Sequence, residues 1–194
     1  MDSLDRLQLR LNSTTADDTM VGFLLTGALE HLREKLGAAP INAIEKQVIG
    51  DKEFFPFFKV PVSWFLETVR RAAVLPGVAP DVNVLLRDVA DGMVKRGLDS
   101  PLGKTIALLG SKSPHKLITS GTSAKGMVFT FGESTYTQTG EQSGSMHVVK
   151  QHLGPTIYPA FLATVIRAVC RVEPQITVQV KNETGSDFDM NVRW

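Results

Sequence analysis

Only one cysteine, Cys170, occurs in 194 residues, so no internal disulfide can form. A reducing compartment is the natural setting for such a chain. An excess of either charge is also missing: 21 Lys and Arg face 20 Asp and Glu, a net charge of +1. That near-balance removes the electrostatic reason to expect nucleic acid or an anionic membrane as partner. No run approaches the roughly 18 uncharged apolar residues of a membrane span. The start, Met1 to Arg6, lacks the apolar stretch of a secretory signal. The expected location is cytoplasmic, with no membrane span and no nucleic acid partner.

Catalytic and metal-binding patterns are scarce as well. Gly97-Leu98-Asp99-Ser100-Pro101-Leu102-Gly103-Lys104-Thr105 approaches a phosphate-binding loop, but five residues separate its glycines where four are needed. Pro101 also interrupts the amides that would cradle phosphate. A helix C-cap at Gly97 followed by a new helix explains the segment better. The four histidines, His31, His115, His147 and His152, form no ligand spacing with Cys, Asp or Glu, so no metal or other cofactor is expected. Residues 111–145 are rich in Ser, Thr and Gly yet contain no Gly-x-Ser-x-Gly elbow. Cys170 sits near the end of an apolar helix, the wrong pole to stabilise a thiolate, and reads as a buried inert thiol.

What is present is a fold pattern. The chain is 43% apolar and 21% charged, ordinary for a globular protein, and long enough to bury roughly 70% of its unfolded surface. Residues 1–18 read as an N-terminal arm, with Leu4, Leu7, Leu9 and Leu11 as an edge strand. Residues 19–194 read as one domain. Leu25, Leu29, Leu32 and Leu36 mark a helix stopped by Gly37. Further helices follow from Pro40, around Trp64 to Ala72, from Asp81 to Arg96, and from Ser100 with Ile106 and Leu109 apolar. Ser113-Pro114 starts one more turn. Gly126 to Phe131 reads as a strand with Met127, Phe129 and Phe131 on one side, Thr135–Thr137 as a further strand segment, and Met146–Val149 as either another strand or the entry to the long apolar helix. From Pro155 to Val172 the only charges are Arg167 and Arg171, so this helix must be covered on most sides. Ile176, Val178 and Val180, then Phe188, Met190, Val192 and Trp194, alternate with polar residues as a hairpin with one buried face. The fold class is α+β: a helical N-terminal half packed on a small antiparallel sheet, with one apolar helix inserted before a C-terminal hairpin.

The most suggestive cluster is Phe54, Phe55, Phe57 and Phe58 with Lys59 and Trp64, beside Phe65 and two prolines. One reading has these rings sealing the core under a proline-rich connector. The other leaves some exposed as a groove for a ligand or partner, with Lys59 meeting an anionic headgroup.

Two resemblances follow. A helical half, a strand pair, the apolar helix from Gly154 to Val172 and a closing hairpin resemble the fold of haem–nitric-oxide-binding domains, shared by 4-vinyl-reductase domains and transport-particle subunits. Residues 21–194 are similar to an uncharacterised family of about this length with many myxobacterial paralogues. That likeness rests on Gly22 to Gly37, on Phe57-Phe58-Lys59-Val60-Pro61 leading into Trp64-Phe65, and on Gly97 to Leu109. Haem-binding members of the broader fold carry a proximal histidine and a Tyr-x-Ser-x-Arg motif. The motif is missing here, which implies no haem. Cys170 does not match the acylated position of the transport-particle subunits.

The expected function is a non-enzymatic sensory or adaptor domain that binds a small apolar ligand or a protein partner and forms a homodimer. The alternative is a pure protein-interaction module in a signalling or motility complex. An enzyme of unknown type comes third.

Overall fold

A computed structural model describes residues 1–78, 81–101, 103–105 and 113–194. Five helices lead: α1 (Leu4–Ser13), α2 (Gly22–Leu36), α3 (Ala38–Val48), α4 (Val62–Ala72) and α5 (Val82–Asp99). A short antiparallel ribbon, β1 (Thr19–Val21) with β2 (Lys59–Pro61), ties α2 to α4. Helix α6 (Pro114–Val128) then leads to β3 (Glu133–Gly140) and β4 (Ser143–Val149). Helix α7 (Gly154–Cys170) precedes the hairpin β5 (Gln175–Val180) and β6 (Phe188–Arg193). The sheet is antiparallel throughout, in the order β3-β4-β6-β5. The α+β class is therefore the observed one.

Leu25, Ala28, Leu29 and Leu32 bury one stripe of α2, and Gly37, at φ +91, ends the helix by donating to the Arg33 carbonyl. Helices α2 and α5 cross in backbone contact. A Cβ on Gly27 would lie 2.6 Å from the Gly92 carbonyl oxygen, and one on Gly92 only 2.5 Å from the His31 Cβ. Any larger side chain at either position forces the helices apart.

Three segments differ from the sequence reading. The leucines of residues 4–11 lie on a helix, not an edge strand. Ser3 caps it by accepting from the Arg6 amide, and Leu7 and Arg10, three apart, both point inward. Arg10 and Asp2 form a fully buried ion pair at 2.7 Å, and Arg10 also donates to the Thr184 carbonyl. The Asp2 amide and the Thr156 hydroxyl both donate to Asn83 Oδ1. The knot joins α1 to the starts of α5 and α7 and to the last hairpin turn. Gly154 makes room for it: its φ is +74, and a Cβ there would lie 2.5 Å from the Arg10 guanidinium carbon.

Second, the first half of the strand expected over Gly126–Phe131 is the end of a helix. Ser113 caps α6, Pro114 occupies its first turn, and the helix runs on to Val128. Phe129 forms an isolated bridge to Met20, with its ring 5.2 Å from Phe131, and Met127 is exposed rather than inward. Third, Gly97 is no C-cap. Helix α5 continues through it to Asp99, and Ser100 caps the end by donating its amide to the Gly97 carbonyl. The chain turns helical again at Pro101 and 103–105, while Leu102, Ile106 and Leu109 of the expected helix lie outside the described residues.

The buried apolar residues form two clusters. One gathers α1 to α5 with Phe129 and Phe131, the other Met146, Val148, Phe188, Met190 and Val192 of the sheet with Leu117 and Ile118. Helix α7 serves both: Ile157 packs into the first, Ile166 and Cys170 into the second. An element shared by two cores is apolar on most sides for that reason. The Cys170 thiol is buried and its pKa is raised by that burial.

Candidate functional site

At the seam between the two clusters lies a cavity of about 130 Å³. Helix α7 supplies Tyr158, Phe161, Leu162 and Val165, spaced as one helical stripe. Leu117, Gly121, Lys125 and Val128 form the facing stripe of α6, and Val94, Gly97 and Leu98 close the α5 side, with Met146 of β4 below. Missing side chains help create the space: among the described residues, a Cβ on Gly121 would meet nothing within 4 Å, and one on Gly97 would meet only Phe23 and Leu24 at ordinary contact distance.

The described walls are apolar apart from Thr122, Tyr158 and Lys125. Burial raises the pKa of the Tyr158 phenol. Lys125 sits in the last turn of α6 and donates from Nζ to the Gly132 carbonyl. Burial lowers its pKa, opposed by the charge of Glu133.

None of the four histidines lines this cavity. His115, in the first turn of α6, turns to the sheet, where its ring nitrogens bond the Tyr136 hydroxyl and the Glu141 carbonyl. His147 pairs with Asp189 at 2.7 Å on the exposed sheet face. His31 lies at the α2–α5 crossing, and His152 is buried against Phe131. Among the described residues no group of three or more His, Cys, Asp or Glu is arranged to hold a metal.

The aromatic cluster lies elsewhere and is split in two. Phe54 packs on Trp64 at 6.3 Å, both half-buried against the helical core, and Lys52 lies over the Trp64 ring. Phe55, Phe57 and Phe58 point outward, 63%, 63% and 68% exposed. Lys59 is exposed and donates to the Gly126 carbonyl at the end of α6. The backbone of this loop caps a helix: the Phe58 and Pro56 carbonyls accept the Gly22 and Phe23 amides, two of the unpaired donors that open α2. None of Phe54, Phe55, Phe57, Phe58, Lys59 or Trp64 lines the cavity.

The sequence reading missed the cavity because it broke α6 into a short turn and a strand. The signal was present: Leu117, Gly121, Lys125 and Val128 recur at three- and four-residue spacing across that supposed break.

Residues 13–194 match the family described as protein of unknown function (DUF2378), so the chain belongs to that family. Among curated proteins nothing matches it. Solved structures do. The Fe(II) unliganded H-NOX protein from K. algicida aligns at TM-score 0.71 and 13% identity, over 90% of this chain and 96% of that one. A structure from work on haem distortion in the H-NOX family aligns at TM-score 0.69 and 11% identity, over 90% and 95%. An oxygen-binding H-NOX domain related to soluble guanylate cyclases, in its oxygen complex, aligns at TM-score 0.64 and 13% identity, over 90% and 94%. At such identities the likeness establishes the fold, which is H-NOX-like.

Proposed function

We propose that this DUF2378 member is a non-enzymatic sensory or adaptor domain that takes a small apolar ligand in the seam cavity. The observation that carries the reading is the place of the cavity. Its walls come from α5, α6 and α7, where two apolar clusters meet, so an occupant touches both halves of the fold at once. A ligand that binds one arrangement of those halves better than another shifts the population toward it.

Haem, the group named for several structural relatives, does not fit these residues. Its iron needs an axial ligand, most often histidine or cysteine, and neither lines the cavity among the described residues. Tyr158 and Met146 are present in the wall, and the volume bounded by the described residues is small. About 130 Å³ is close to the roughly 150 Å³ of an engineered cavity that accepts benzene, far short of a tetrapyrrole.

The reading includes self-association through β5. Among the described residues that strand bonds only β6; it is six residues long and carries no charge or proline, so its outer edge lacks the usual protection. Val178 is 36% exposed. Antiparallel pairing of two copies centred on Thr177 would set Ile176 against Val178 of the partner subunit, and Glu173 against Lys181 of the partner subunit.

A second reading, a protein-interaction module acting in a signalling or motility complex, is favoured by the outward rings of Phe55, Phe57 and Phe58. Native mass spectrometry beside a denatured sample separates the two. Extra mass lost on denaturation is the expected result. A clean apo mass that apolar probes leave unchanged would overturn the ligand reading and leave the interaction module.

A further inference from the structure

We infer that the cavity takes a small molecule with an apolar body and a single carboxylate, the carboxylate being met by Lys125. The inference rests on the ligand reading above and adds the ligand's polar end.

Lys125 is the one charged side chain among the described residues of the wall. It stands among largely apolar wall residues, and its ammonium gives one hydrogen bond to the Gly132 carbonyl. An ammonium carries three donors, so among the described residues the single backbone carbonyl leaves two of them without a partner. Glu133 acts on it as a nearby charge, among the described residues no carboxylate forms an ion pair with it, and burial already disfavours its charged form. A purely apolar occupant would remove more water from that ammonium and give nothing back, which is unfavourable. A carboxylate offsets the loss with charge-assisted hydrogen bonds. One negative charge matches one lysine, whereas a phosphate dianion would bring a second charge that no second cation of the described wall meets. Tyr158 and Thr122 carry the other polar side chains among the described residues of the wall. The volume, near that of a cavity that accepts benzene, suits a single ring or a short chain.

The test compares octanoate with 1-octanol, equal in chain length and different in charge, by isothermal titration calorimetry at neutral pH on the full chain. The wild type is expected to bind octanoate at least tenfold more tightly than octanol. Lys125→Met keeps the stem and removes the charge. It should weaken octanoate about tenfold or more and leave octanol within about twofold. Leu162→Trp, which fills the cavity from α7, should abolish binding of both and so locate the site. Equal affinities for the two probes, or octanoate binding unchanged in Lys125→Met, would overturn the role of Lys125 while the ligand reading survives. Binding of neither probe would overturn both.

Discussion

His152 shows at the scale of one residue how burial and a neighbour compete. Its ring packs 5.0 Å from Phe131, and Nε2 lies 3.4 Å from Asp18 Oδ2. Burial lowers the imidazole pKa, and Asp18 only partly restores it. Asp18 is itself partly buried, which raises its pKa, but hydrogen bonds from the Thr15 amide and hydroxyl together with His152 bring it below the usual value. Between the depressed folded pKa of His152 and the ordinary value of about 6.5, the unfolded chain binds more protons than the folded one. Stability therefore rises as pH climbs through that window and is lost as pH falls below about 6.5. Urea midpoints measured from pH 7.5 down to 5 should fall in the wild type and fall less steeply in His152→Gln. An identical slope in both proteins would mean that other groups carry the acid sensitivity. In the sequence His152 is one histidine of four; its neighbours Asp18 and Phe131 lie 134 and 21 positions away, so nothing local marks it.

Among the elements, β5 and β6 were the most legible and α1 and α6 the least. The hairpin alternates because one face of the sheet is buried and the other is in water, a rule each strand obeys in its own sequence. The leucines of α1 fit a period of two as well as a spacing of three, and the choice falls to Arg10, whose partners Asp2 and Thr184 come from both ends of the chain. The same legible alternation leaves β5 with an unprotected edge. Val178→Lys places a charge on that edge at a partly exposed position, so it should convert a dimer to a monomer in light scattering with little change in melting temperature. A monomeric wild type would remove β5 self-pairing from the proposal.

For the molecule as a whole, the shared helix α7 sets the cooperativity. Because Ile157 lies in one cluster and Ile166 in the other, neither half keeps its core if α7 leaves. Calorimetry should therefore give one transition, with calorimetric and van't Hoff enthalpies equal. Phe65→Ala in the helical cluster and Phe188→Ala in the sheet cluster remove rings with no exposure at all. Each should cost about 3–5 kcal/mol and lower the same single transition. Two separable transitions would show that the halves unfold independently.

The sequence by itself determined the α+β class, the stripe and glycine stop of α2, an apolar helix read over 155–172 and found over 154–170, and the closing hairpin. Each follows from a periodicity or a cap contained within about twenty neighbouring residues. It also marked Phe54 to Trp64 as unusual without dividing the rings that turn inward from those that turn out. Only the tertiary structure decided that division, the Asp2–Arg10 knot, and the cavity that collects Gly97, Gly121, Lys125 and Tyr158 from three helices. A void and a buried charge are defined by what faces them from distant parts of the chain, and local pattern carries no record of that.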